Sequence, residues 1–345
     1  MNMIDSFPGR KIRVDGKTKL YFGGTAYLGL QTDEDFQNVF IKNIKKYGTN
    51  YGASRNANVQ ISVFDKAERY LANLVESKSC LTVSSGYLAG QLVASSFDQN
   101  DIFYAPYTHV ALHQTGSNNY SSFSELNAAI YTHLKTRKTT PIVCIDSLDF
   151  FGNNYPSFAG LKELPLDKVI LVADDSHAIG LPLNNGKGCY SLLKLLKPKE
   201  LIVCTSLGKG FAVQAGAIFA SNKRINKLKE RSLYGGASPA TPASLATLID
   251  ATEIYKKKQN KLKKRMTHFT SICSNTSKFS YMPLHPVFSF RDNTIKEHLE
   301  VNNIIVTSFN YPKKDSPTMN KIVLSAHHKK KDIELVANLI NTLDL

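Results

Sequence analysis

The chain alternates between short runs of apolar residues and longer stretches in which apolar residues recur every three to four positions. CLTVSSG (80–86), PIVCIDS (141–147), VILVADD (169–175), LIVCTSLG (201–208) and AGAIFAS (215–221) are rich in Val, Ile and Leu and mostly lack polar alternation. Such runs fit strands of a sheet that is covered on both faces. Between them, VFDKAERYLANLVES (63–77) sets Phe64, Ala67, Tyr70, Leu71 and Leu74 along one helical face. Strand, helix and strand in succession predict an α/β fold with a mainly parallel sheet and right-handed crossovers.

After about residue 235 the texture changes. YGGASPATPAS (234–244) punctuates the chain, and a long helix is expected from Ser244 to about Cys273. Short strands are expected at 286–290, 304–309 and 321–326, and DIELVANLINTL (332–343) carries Ile333, Val336, Ile340 and Leu343 on one helical stripe. This predicts a second, smaller α+β domain. The expected division is an N-terminal arm and part of the small domain at 1–44, a large domain at 45–235, and the rest of the small domain at 236–345. The 345 residues suit two domains, each able to bury a core without a disulfide or metal staple.

The five cysteines are widely spaced and form no C-x-x-C pair, so neither a zinc site nor a redox motif is indicated. Several lie in apolar runs, which suggests a reducing, cytoplasmic setting. No apolar run is long enough to span a membrane. The 43 Lys+Arg against 28 Asp+Glu give a net charge of +15, which points to acidic partners without saying which. The basic run KKKQNKLKKR (256–265) reads first as a solvated helix face, and nothing resembles a nucleic-acid-binding signature.

Three features carry chemistry. VADDSHAIG places Asp174, Asp175, Ser176 and His177 directly after a strand. TSLGKG places Lys209 between two glycines after another strand, and SSGY (84–87) stands where a strand gives way to a helix. Alone, the first could be a turn with a surface histidine or a pair of metal ligands, and the last a plain cap. Their order and spacing say more. Ligands bind at strand C-termini of parallel sheets. A carboxylate there can keep a ring nitrogen protonated, and a desolvated lysine can form a Schiff base with a carbonyl. A helix start offers N–H groups to phosphate, and Gly86 lets backbone approach an anion. Together these describe a pyridoxal phosphate site.

The chain resembles the α-oxoamine synthases, a branch of the fold-type I pyridoxal phosphate enzymes with the aspartate aminotransferase-like fold. The resemblance runs from Tyr27 to near the C-terminus. It rests on AYLGL (26–30), YGTNYGASR (47–55), SSGYLAG (84–90), YTHVALHQTG (107–116), DDSHAIG (174–180), the G-K-G at 186–188 and TSLGKGFAVQAGAI (205–218). The last block looks most like the oxononanoate synthase version.

The resemblance implies roles. Lys209 matches the Schiff-base lysine that later takes the α-proton, and Asp174 the carboxylate paired with the pyridine nitrogen. His177 matches the histidine that bonds the cofactor's phenolic oxygen or the incoming carbonyl, and His109 the histidine stacked on the ring. Ser85, Gly86 and Tyr87 match the phosphate turn, and Ser206 a phosphate-binding hydroxyl. Ser238 lies in the stretch that completes the phosphate site of a neighbouring subunit, so a homodimer is implied. Thr25, Arg55 and Lys321 fall at positions tied to substrate binding. No metal is implied.

The implied reaction condenses an amino acid with an acyl thioester and releases CO₂. The oxononanoate synthase version would use L-alanine and pimeloyl-CoA or pimeloyl-carrier protein, and the positive charge suits either donor. The sequence departs from the family pattern where the amino acid carboxylate is held. Thr25 stands for an Asn and Lys321 for an Arg, and Lys offers a point charge in place of a bidentate fork. Ser147 lies near where the family has a serine beside the cofactor. Another amino acid or acyl donor, an aminotransferase, or a non-enzymatic binding paralogue are the alternatives.

Overall fold

The computed structural model describes residues 3–114, 119–150, 154–311 and 314–343. Among these, two six-stranded sheets organise the chain. The strands are β1 (Lys11–Val14), β2 (Lys17–Phe22), β3 (Ser79–Val83), β4 (Ile102–Tyr104), β5 (Ile142–Asp146), β6 (Ile170–Asp174), β7 (Glu200–Ser206), β8 (Gly216–Ala220), β9 (Ser280–Tyr281), β10 (Val287–Phe290), β11 (Ile304–Asn310) and β12 (Thr318–Val323).

The large sheet runs β3-β8-β7-β6-β5-β4. β4 to β7 are parallel, and β8 is antiparallel to both of its neighbours. Every residue of β8 is buried, as are most residues of β3, β5, β6 and β7. This matches the near-continuous apolar runs of a sheet covered on both faces. The register aligns Asp146 with Asp174 and Asp174 with Cys204, so the C-terminal ends of β5, β6 and β7 lie in a row. Ser206, at the end of β7, pairs with Gly216, which pairs in turn with Val83 just before the helix Gly86–Ala94. The three chemical motifs therefore meet at one edge.

The small sheet runs β1-β2-β11-β12-β10-β9. Strands from both ends of the chain build it, with β2 parallel to β11. The β1–β2 hairpin was not expected as strand. Lys11 and Lys17 stay exposed and, with the half-buried Lys19, interrupt the apolar pattern. The expected long helix is two helices, Pro242–Asp250 and Thr252–Ile272, broken at Ala251. The first packs on Glu34–Tyr47 and Val63–Val75, so the chain straddles the expected division at residue 235. Lys256, paired with Glu253, is exposed, whereas Lys258 pairs with Asp33 and is largely covered. The basic run is thus only partly a solvated face. No helix among the described residues is long and apolar enough to cross a membrane. All five cysteines are buried and unpaired.

Candidate active site

The site is built where the large sheet's strand ends meet the small sheet. Lys209 Nζ lies 2.9 Å from His177 Nε2, and His177 Nδ1 lies 2.8 Å from the Tyr27 hydroxyl. Two proton arrangements satisfy this chain. In one, the ammonium donates to Nε2 and Nδ1–H donates to Tyr27. In the other, Tyr27 donates to Nδ1, and Nε2–H donates to a neutral amine. Burial raises the Tyr27 pKa far above the ordinary phenol range, so its hydroxyl keeps its proton. Burial, helped by the nearby charges of Lys209 and Lys321, holds His177 well below the usual imidazole range. Burial also lowers Lys209, against the opposing pull of Asp174 and Asp146.

Asp174 ends β6 and accepts the Ser176 N–H at 2.9 Å. His109 Nδ1 lies 3.9 Å from Asp174 Oδ2. This is no hydrogen bond, because Nδ1 already accepts the Ala111 N–H at 3.1 Å. The His109 ring is thus a neutral tautomer with its proton on Nε2, consistent with burial lowering its pKa. Its backbone N–H donates to Asp146 Oδ1 at 2.9 Å. Burial and the adjacent Asp174 raise Asp146 well above the usual carboxylate range, which drives it to keep a proton.

The SSGY segment forms a capped helix start. Ser85 caps the helix Gly86–Ala94, its hydroxyl accepting the Leu88 N–H at 3.1 Å. A Cβ at Gly86 would lie 2.5 Å from Ser206 Cβ, so only glycine lets this helix start sit against β7. The Ser206 N–H donates to Ser176 Oγ at 2.8 Å, joining the turn to the Asp174 loop. Tyr87 is exposed.

Lys321, on β12, also enters the cluster. It is 8% exposed, its ammonium lies 3.4 Å from the Phe150 ring centroid, and no carboxylate among the described residues pairs with it. Burial and the nearby Lys209 charge lower its pKa to about 7.

Three expected residues stand apart. Arg55 does not face this cluster. Its guanidinium donates to Glu68 at 2.9 Å and Thr82 at 3.3 Å and stacks on Phe64, a buried strut between the helix Val63–Val75 and β3. Thr25 is exposed in the loop before Tyr27. Ser238 is exposed after the helix Ser232–Gly236. Ser147 donates to Asp175 Oδ1 at 2.5 Å, and the Cys189 N–H donates to Asp175 Oδ2 at 3.0 Å. Burial pushes Asp175 up to about 7. Gly188, at φ +69°, leaves room for that carboxyl, because a Cβ there would lie 2.0 Å from Oδ2. The G-K-G motif thus serves this buried anchor. Residues 115–116 of one motif, and 151–153 beside Ser147, lie outside the described residues.

Sequence reasoning missed Asp146, Phe150, His285 and Tyr311. His285 bonds the His177 carbonyl, and Tyr311 faces the His109 ring at 6.2 Å between centroids. Only Asp146, an acid at a strand end like Asp174, carried a local signal.

A desolvated amine in the field of a strand-end carboxylate, a neutral histidine and a glycine-bearing helix start are groups that a pyridoxal phosphate enzyme needs. The family model "aminotransferase class I and II" matches residues 154–340, and the chain belongs to that family. It is 24% identical to the 8-amino-7-oxononanoate synthase of Petrotoga mobilis, over 96% of this chain and 90% of that one. It is 25% identical to a putative 8-amino-7-oxononanoate synthase of Trichodesmium erythraeum, over 98% and 92%. Its fold matches a serine palmitoyltransferase from S. paucimobilis with bound PLP–myriocin at TM-score 0.82 and 14% identity, covering 99% of this chain and 91% of that one. It matches the 8-amino-7-oxononanoate synthase of Francisella tularensis at TM-score 0.72 and 18% identity, covering 94% and 97%. Both kinds of enzyme are α-oxoamine synthases, the branch that the motifs resemble. The cofactor is pyridoxal phosphate. The residues present fit it: Lys209 would take the aldehyde, Asp174 the ring nitrogen, and the Gly86 turn with Ser206 the phosphate.

Proposed function

We propose that the chain condenses an amino acid, L-alanine in the first instance, with an acyl thioester and releases CO₂ to give an α-amino ketone. Pimeloyl-CoA or pimeloyl-carrier protein is the proposed donor, as in biotin synthesis. The observation that carries this reading is a pair of desolvated amines, Lys209 held by His177 in the field of Asp174 and Lys321 with no carboxylate partner among the described residues.

When bound, pyridoxal phosphate supplies the electron sink for a carbanion at the amino acid's α-carbon. Asp174 would hold the proton on the ring nitrogen. His109 would cover one ring face. The depressed pKa of Lys209 suits it to take the α-proton, and His177 and Tyr27 can relay charge on its far side. Lys321 would meet the amino acid carboxylate as a point charge, and Phe150 would exclude water from that pair. In a homodimer, exposed Ser238 would complete the phosphate site of the second copy. The +15 charge would attract the phosphates of CoA or the acidic surface of a carrier protein. The buried free thiols suit a cytoplasmic location.

The test is complementation of a biotin auxotroph that lacks oxononanoate synthase. Growth supports the reading. No growth from a protein that binds the cofactor, yet releases CO₂ and free thiol with another acyl thioester, redirects it to a different α-oxoamine synthase. Conversion of the amino acid to its keto acid without thiol release would mark an aminotransferase. A chain that takes up no cofactor would leave only the binding-protein alternative.

A further inference from the structure

We infer that His285 is a positioning residue that fixes His177 against Lys209 by clamping its backbone from the small domain. The inference rests on the proposed reading of Lys209 and His177 as working groups.

His285 lies 1% exposed in the loop between β9 and β10. Its Nδ1 accepts the Val287 N–H at 3.4 Å, which leaves the ring proton on Nε2. Nε2–H donates to the His177 carbonyl at 3.0 Å. Burial, together with the Lys321 and Lys209 charges, lowers its pKa to about 3, so it stays neutral and keeps this tautomer. The ring meets Tyr27 edge-on, 5.7 Å between centroids, and tilts against Phe150 at 5.6 Å. Tyr27 holds His177 Nδ1, and Phe150 meets the His177 ring edge-on at 4.7 Å. His177 is therefore gripped at its carbonyl by His285, at Nδ1 by Tyr27 and on its ring by Phe150. Only Nε2 is left, aimed at Lys209. A neutral imidazole buried between two aromatics, with no reactive partner of its own, has the chemistry of a fixed donor. Without it, the buried His177 carbonyl would lose its partner and the ring could drift from the amine.

The test compares His285→Phe, which keeps an aromatic filling but no donor, with His285→Gln, which restores a donor and an acceptor. In the cofactor-free chain, side-chain ¹⁵N NMR of the His177 ring is expected to shift or broaden in His285→Phe and to return in His285→Gln. In the holoenzyme, His285→Phe is expected to shift the visible band of the bound cofactor. It should also lower kcat roughly tenfold or more, with the amino acid KM within about twofold. His285→Leu makes the same comparison if His285→Phe does not fold. Unchanged His177 resonances in both apolar variants, or His285→Gln as impaired as they are, would overturn the clamp. A wild-type chain that binds no cofactor would overturn the functional reading, and the NMR comparison would still decide the clamp.

Discussion

The large sheet and the small sheet each send a buried lysine into the site, and the two amines are held in opposite ways. Lys209 follows β7, touches His177 at 2.9 Å and lies in the field of Asp174 and Asp146. Lys321 sits on β12 with an aromatic face beneath it and Asp146 attracting it from a distance. The first amine belongs to a finished network. The second has no carboxylate partner among the described residues, which suits the proposed role of meeting an anion. On the proposed reading, the large sheet would carry the cofactor chemistry and the small sheet the recognition of the amino acid.

The largest expected effect removes the first amine. Lys209→Ala should lose activity by roughly 10⁴-fold or more, and borohydride should no longer attach the cofactor to the chain, as read by intact mass. Lys321→Ala should leave that trapping intact. If both variants lose the trap, the contrast between the amines is wrong.

Next come the two carboxyls in register at the ends of β5 and β6. Asp174→Asn should reduce kcat by roughly a hundredfold or more, because an amide cannot keep a ring nitrogen protonated. Asp146→Asn should change kcat only slightly, because Asp146 is already driven to its neutral form and an amide oxygen can still accept the His109 N–H. Equal losses in steady-state kinetics would mean that Asp146 works as a charged group.

The third prediction concerns Lys321, with a pKa of about 7. Only the ammonium attracts a carboxylate. As pH rises through about 7, the charged fraction falls, so the amino acid KM should rise, approaching about tenfold per pH unit above the midpoint. Lys321→Arg should flatten that profile, since guanidinium does not titrate in this range. Lys321→Ala should raise KM about tenfold to a hundredfold at pH 6. A flat wild-type profile would show that Lys321 does not meet the carboxylate.

The same division marks what was legible in the sequence. The strand ends, Lys209, Asp174, His177 and the Gly86 turn were readable because each follows a buried apolar run, and the βαβ rhythm brings strand ends together, whereas His109 was named only through the family resemblance. Phe150 and His285 were not readable. They reach His177 from loops whose partners lie 27 and 108 positions away, and nothing local marks a Phe or a His as facing a site. Arg55 misled for a related reason. Its partner Glu68 lies on the buried face of an amphipathic helix, where a carboxylate interrupts the expected apolar stripe to accept from that arginine and from Thr82 on β3.

The smallest expected effect tests how finished the cofactor side is. The Ser85 hydroxyl accepts from Leu88 N–H, so its oxygen serves the helix cap while its own proton remains free for an anion. A cap alone predicts that Ser85→Ala costs about 1 kcal/mol of stability, and Ser85→Gly only a few tenths, because glycine is itself tolerated at this position. Cofactor affinity would then follow stability, with Ser85→Gly nearly wild-type. A hydroxyl that also donates to phosphate predicts equal losses of cofactor affinity in both variants, whatever their thermal midpoints do. Measuring the two quantities on both variants separates the roles. Equal affinity losses would place Ser85 with Lys209 in the cofactor's grip, and unequal ones would leave the phosphate to backbone N–H groups and Ser206.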